Sequence, residues 1–115
     1  MALTKDQIFN ASDHQIKTLN IPEWGGDICL KTMTGFQRDK YESEILKCQK
    51  NNSFVNMRVK LAIYTVCDED GNLLFEEKDI NLLTKKSASA LDKIFDEATK
   101  MNGISEEDIE ELEKN

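Results

Sequence analysis

The clearest alternation of apolar and polar positions lies near the end of the chain. Between Lys85 and Leu112, Ala88, Leu91, Ile94, Phe95, Ala98 and Met101 recur at three- and four-residue steps. That spacing sets them on one face of an α-helix, with Leu91, Ile94, Phe95 and Ala98 expected to be buried. Ser87 stands at the N-cap position, where its hydroxyl can satisfy a free backbone N–H. Asn102-Gly103 ends the pattern, because glycine takes the left-handed position after a helix at no steric cost. Beyond the corner, Ser105 and Asp108 have capping-box spacing, and Ile104 and Ile109 stand where a hydrophobic staple would. A second, short acidic helix is expected there.

Earlier in the chain, Thr34-Gly35-Phe36-Gln37 fits a capping box and opens a helix whose apolar positions are Tyr41, Ile45 and Cys48, ended by Lys50-Asn51-Asn52. Residues 14–34 read differently. Two short segments, around Ile16–Ile21 and Asp27–Met33, flank the break Pro22-Glu23-Trp24-Gly25-Gly26, which describes an antiparallel hairpin. Trp24 at the break is read as a lid on this small sheet, with an interface anchor as the other reading. The run 53–67 fits two templates. Val55, Met57, Val59, Leu61 and Ile63 alternate as in a strand, while Val55, Val59, Ala62, Ile63 and Val66 fit a helix face. Its β-branched residues favour strand and its length favours helix, so the pattern leaves both open. Asp68–Asn72 has turn chemistry, Leu73-Leu74-Phe75 is a short apolar anchor, and Glu76–Leu83 forms a helical turn with acids at its start. At the N-terminus, Thr4 and Gln7 have capping-box spacing, so residues 1–13 form either a loose arm or a short helix. The whole describes one α+β domain, mostly helical, with a small N-terminal β-hairpin: 1–13 as the arm, 14–34 as the hairpin, 35–115 as the helical part.

Composition removes several function classes. The 115 residues carry 22 acids against 15 bases, a net charge of −7, and Lys85-Lys86 is the only adjacent basic pair. No basic stripe invites a nucleic acid. No apolar run reaches the ~20 residues of a membrane span, and the N-terminus lacks a signal-peptide core, so the chain is expected to stay where it is made. Cys29, Cys48 and Cys67 are an odd set with no CxxC, and His14 is the only histidine. Three reduced, mostly buried thiols are expected rather than a zinc site. An EF-hand alignment with Gly71 at its sixth position brings Asp68, Asp70 and Glu77 to ligand positions but puts Val66 first, where a carboxylate is required. A metal-responsive domain built on those three acids is therefore a minor reading. No nucleotide, nucleophile-elbow or metalloprotease motif occurs. No catalytic residue, metal ligand or cofactor is expected, and the chain is read as a non-enzyme.

Three stretches taken together resemble a known family: IPEWGGDICLKTMTGFQRDKYE (21–42), NMRVKLAIYTV (56–66) and VCDEDGNLLFEEKDINLLTKKSASALDKIFDEATKMNGIS (66–105). In this order they are similar to the tail assembly chaperones of long-tailed, siphovirus-type bacteriophages and prophages. The resemblance implies a non-catalytic protein that binds the phage tape measure protein and keeps it soluble while the tail tube assembles. It implies self-association into a homo-oligomer, the major tail protein as a further candidate partner, residence in the cytoplasm of the bacterial host, and absence from the mature virion. It also implies a helix for 53–67. Such genes often yield a longer product by a minus-one frameshift, and the codons available for Glu113-Lys114-Asn115 permit a slippery site there.

Candidate partner-binding residues are the large apolar ones that periodicity cannot assign to core or surface: Trp24, Phe36, Tyr41, Phe54, Met57 and Phe75. The rival reading from another class is a cytosolic regulatory or adaptor domain that binds one helix of a host protein.

Overall fold

A computed structural model describes residues 1–50 and 56–104. Phe54, the side chain of Cys48 and the expected terminal helix with Ser105, Asp108 and Ile109 lie outside the described residues.

The chain opens with a short helix, α1 (Lys5–Asn10), started by a reciprocal capping box between Thr4 and Gln7. Strands β1 (Ile16–Ile21) and β2 (Gly26–Lys31) form the expected antiparallel hairpin, in register from Ile16↔Lys31 to Ile21↔Gly26, with a single 3₁₀ turn, Pro22–Trp24, at its tip. Alternation along β1 places Leu19 and the fully buried Ile21 on one face, and Ile16, Thr18 and Asn20 on the other, exposed one. Thr34 then starts α2 (Gly35–Lys50): its hydroxyl accepts from the Gln37 N–H while the Gln37 amide oxygen accepts from the Thr34 N–H.

Of the run 53–67, residues 53–55 lie outside the described residues. The alternating Met57, Val59, Leu61 and Ile63 are helical, as the resemblance implied, and the last two residues depart from helix. Met57–Thr65 is a helix, α3, and Val66–Cys67 continues it directly as a two-residue strand, β3, paired antiparallel to β2 at Cys29 and Leu30. The sheet therefore has three strands in the order β1-β2-β3. Two residues are too few for periodicity to register, and the pairing partner lies more than thirty positions upstream. Short α4 (Ile80–Leu83) follows a 3₁₀ turn, Glu77–Asp79, and α5 (Ala88–Met101) is the long C-terminal helix, capped by Ser87.

Helix α5 ends as its sequence requires. Gly103 takes φ +66, its N–H reaches the Lys100 carbonyl, and the Ile104 N–H reaches the Thr99 carbonyl at 2.9 Å. These are the two hydrogen bonds of a Schellman corner, and the buried Ile104 supplies its apolar contact. Ile94 and Ala98 are fully buried and Leu91 nearly so, whereas Phe95 is half-buried. One position is corrected: Ala88, assigned to the apolar face, is exposed, and Ala90 is buried instead. At the first turn the helix has not yet come over the sheet, so the buried stripe begins two residues later.

The core has two parts. Tyr41, Ile45, Val59, Leu61, Ile63, Tyr64, Leu91 and Ala98 fill the space among α2, α3 and α5. Ile21, Leu30, Ala62, Val66, Ala90 and Ile94 fill the space between the sheet and α3–α5. Phe75 packs against both.

Candidate partner-binding surface

The five sequence-derived candidates among the described residues do not form one patch. Tyr41 is 3% exposed. Its ring meets Tyr64 edge-on at 6.5 Å, and its hydroxyl donates to the Met57 carbonyl at 3.4 Å. Tyr41 is thus a core residue and presents no surface, a correction to its assignment. Met57 packs partly buried against the same cluster. The helical stripe Tyr41–Ile45 that made Tyr41 a candidate is the stripe that faces α3. Phe36 is the opposite case: it is 77% exposed on the first turn of α2, at the Lys31 end of the hairpin.

Trp24 and Phe75, 51 positions apart in sequence, do come together. They line a groove of about 620 Å³ with Glu23, Leu74, Asp79, Leu82, Leu83 and Lys86. Proline and the 3₁₀ turn carry Trp24 out of the strand, half-buried over the sheet core. The Asp68–Asn72 turn reverses the chain after β3 and delivers Leu74 and Phe75 opposite it. Short α4 supplies Leu82 and Leu83. Adjacent helical residues point about 100° apart, so Leu83 is buried while Leu82 is 65% exposed. Leu74 is 53% exposed. Two leucines thus project beside two half-buried aromatic rings.

Ionic and hydrogen-bonded contacts flank the groove. Lys93 on α5 donates to Glu23 at 2.8 Å, and this hydrogen bond holds the Glu23 carboxyl below its ordinary range. Lys40 on α2 meets Glu77 at 2.9 Å, beside the 3₁₀ turn that leads into α4, and lowers that carboxyl likewise. The Asp68 carboxylate accepts from the backbone N–H groups of Asn72 and Asp70, both at 2.9 Å, and from the Asn72 side chain at 3.3 Å. These bonds, the Asn72 backbone first, depress the Asp68 pKa. Gly71 completes the turn at φ +88, and a Cβ there would lie 3.3 Å from Ile16 Cδ1.

Two of the three acids of the EF-hand alignment are engaged by other groups. Asp68 is bound to its own loop, Glu77 to Lys40, and Val66 is buried in β3. Among the described residues no group of three or more His, Cys, Asp or Glu side chains is placed to hold a metal ion. Cys67 is buried directly opposite the half-buried Cys29, and burial, reinforced by Cys29, raises its pKa. Among the described residues His14 meets Thr32 at 3.3 Å and Asp13 at 3.8 Å. No helix of the described residues is long and apolar enough to cross a membrane.

Residues 4–115 match the family model described as phage tail assembly chaperone. The chain belongs to the phage tail assembly chaperone family. Among solved structures, the chaperone is similar to the tail assembly chaperone of bacteriophage HK97, with a TM-score of 0.62 and 20% identity over 84% of this chain and 94% of that one. At that identity the likeness concerns the fold: the α+β arrangement is shared. No curated protein matches the chaperone. Leu74 and Leu82, which complete the groove, were not singled out from the sequence. The signal was present as Leu73-Leu74-Phe75 and Leu82-Leu83, apolar runs too short to carry a period.

Proposed function

We propose that this chaperone acts without catalysis, binding an apolar helix of its phage's tape measure protein and keeping that protein soluble in the host cytoplasm until the tail tube encloses it. The reading is supported most by the groove between Trp24 and Leu82, which combines exposed leucines with half-buried aromatic rings in a member of this family. An amphipathic helix docks on such a surface by laying its apolar stripe into the groove. The net charge of −7 keeps a protein with exposed apolar residues in solution. The major tail protein is a second candidate partner, and the chaperone leaves before the particle is complete.

Co-expression with the tape measure protein tests this. The wild-type chaperone should raise the soluble fraction of the tape measure protein and co-purify with it. The double substitution Leu74→Glu, Leu82→Glu removes only exposed apolar side chains, so it should fold normally by circular dichroism and lose both effects. A tape measure protein equally soluble with and without the wild-type chaperone defeats the proposal.

A further inference from the structure

Among the described residues two thiols face each other. Cys29 in β2 and Cys67 in β3 are directly paired across the antiparallel strands, though 38 positions apart in sequence. Hydrogen bonds fix the kind of pairing. The Asp68 N–H donates to the Asn72 carbonyl and the Leu74 N–H to the Val66 carbonyl, both on the side of β3 away from β2. That leaves the N–H and carbonyl of Cys67 directed at β2, so Cys29 and Cys67 form a hydrogen-bonded pair with Cα atoms about 5.5 Å apart. This separation lies inside the roughly 4.4–6.8 Å that disulfides span.

The two thiols differ in access. Register puts both on the outer face of the sheet, with Ile16, Thr18 and Lys31, because Leu30 and Val66 pair on the inner one. The Asp68–Asn72 turn folds back over this outer face. Lys31 Nζ donates to the Gly71 carbonyl at 3.3 Å, and a Cβ on Gly71 would meet Ile16. Cys67, at the root of that turn, is 2% exposed, while Cys29 is half-buried. Burial, then Cys29, raises the Cys67 pKa, with Lys31 opposing. Cys29 is thus the thiol that an oxidant meets, and Cys67 the one placed to react with it afterwards.

We propose that Cys29 and Cys67 are a redox pair, closed by hydrogen peroxide into a reversible disulfide that clamps β3 to β2. The Cys29 thiolate attacks one peroxide oxygen. The O–O bond breaks, leaving a sulfenic acid on Cys29 and a hydroxide that is protonated to water. The Cys67 sulfur then attacks the Cys29 sulfur. The S–O bond breaks, and the departing hydroxide takes the Cys67 proton and leaves as a second water. The two sulfurs together lose two electrons, which reduce the peroxide. Two glutathione molecules reverse the change and are themselves joined as a disulfide. Closure draws the Cβ atoms together by about 1 Å, since opposed residues sit ~5 Å apart and a disulfide needs ~4 Å. A two-residue strand at the edge of the sheet can move that far. The remaining strain makes the bond labile, which suits a switch. The clamp also lies between the groove's two walls. Strand β2 begins two residues after Trp24, and the Leu74 N–H is held by the Val66 carbonyl of β3. Oxidation therefore fixes Leu74 relative to Trp24.

The proposal stands apart from the tape measure reading, and its test needs no partner. The full chain carrying Cys48→Ser, so that only the pair remains, is treated with hydrogen peroxide under native conditions. Its intact mass should fall by two hydrogens. Trypsin without reductant should release residues 18–31 joined to residues 61–78. The oxidised protein should melt about 10 °C higher, because the bond closes a long loop. Glutathione should return the mass and the midpoint to their starting values. The double variant Cys29→Ser, Cys48→Ser, folded by circular dichroism, should show none of these changes. A Cys29 oxidised to sulfinic acid beside an unreacted Cys67 overturns the proposal, as does a linkage between two copies or one that forms only in urea. An oxidised protein that melts no higher than the reduced one overturns the clamp.

Discussion

Asn102 does more than end a helix. Its side-chain amide donates to the Ala98 carbonyl at 2.8 Å and its side-chain oxygen accepts from the Met33 N–H at 2.6 Å, while its backbone carbonyl accepts from Arg38 at 2.7 Å. One residue thus ties the end of α5 to the segment between β2 and α2 and to α2 itself. Replacing Asn102 with Ala leaves the half-buried Met33 N–H without its acceptor. A loss of about 1–3 kcal/mol is expected in urea unfolding, the cost of stranding a buried donor. Asp68 makes a different prediction. Its folded pKa is depressed by the hydrogen bonds of its turn, so its stabilising effect is complete above the unfolded value of 3.8 and fades as pH falls through the folded one. Asp68→Asn should destabilise the protein at neutral pH, and its unfolding curve should converge on the wild-type curve below about pH 4. An undiminished gap at pH 3 would refute this account. Tyr64 sits at the opposite limit: burial, then the neighbouring Glu44 carboxylate, pushes its phenol far above the usual range, so it stays protonated and donates to Glu44 at 3.2 Å.

At the scale of elements, what could be read beforehand follows from how local each signal is. The caps at Thr4, Thr34 and Ser87 and the stop at Gly103 involve atoms within five residues of one another, and all were legible. The hairpin was legible because its break carries the only proline. Strand β3 was not, since two residues become a strand only when β2 lies alongside. The groove was half legible. Trp24 and Phe75 stood out as large apolar residues near breaks, but that they meet, and that Leu82 rather than Leu83 faces outward, depends on how α4 settles on the core. Tyr41 shows the converse, since the periodicity that made it a candidate is what buries it. The α5 stripe offers the sharpest test. Ile94→Ala opens a cavity against Ile21 and Leu30 and should cost about 2–5 kcal/mol, while Ala88→Ser on the exposed first turn should stay within about 0.5 kcal/mol.

At the scale of the molecule, the two parts of the core share Phe75 and helices α3 and α5. They should therefore unfold together. Ile45→Ala, in one part, and Ile94→Ala, in the other, should each lower the midpoint of a single transition seen identically by tryptophan fluorescence and by circular dichroism. Two resolved transitions would show that the parts are independent. Three of the ion pairs that link distant segments, Lys17 with Glu97, Lys93 with Glu23 and Lys40 with Glu77, each have a solvent-exposed lysine and should contribute little to that midpoint.

The order of the sheet also sets a timetable. Strands β1 and β2 are neighbours in sequence and can pair within the time a hairpin takes to close. Strand β3 is made 35 residues after β2 ends, and Ile94 of α5, which covers Ile21 and Leu30, comes later still. During synthesis the ribosome therefore releases a hairpin whose inner face is covered only by α3 and β3 until α5, in the last third of the chain, emerges. A stalled or truncated product ending before α5 should expose Ile21, Leu30 and Val66 together and aggregate, even though its own strands and caps are already formed. A protein from a family devoted to chaperoning tail assembly thus passes, each time it is made, through an interval in which it has the same need for cover.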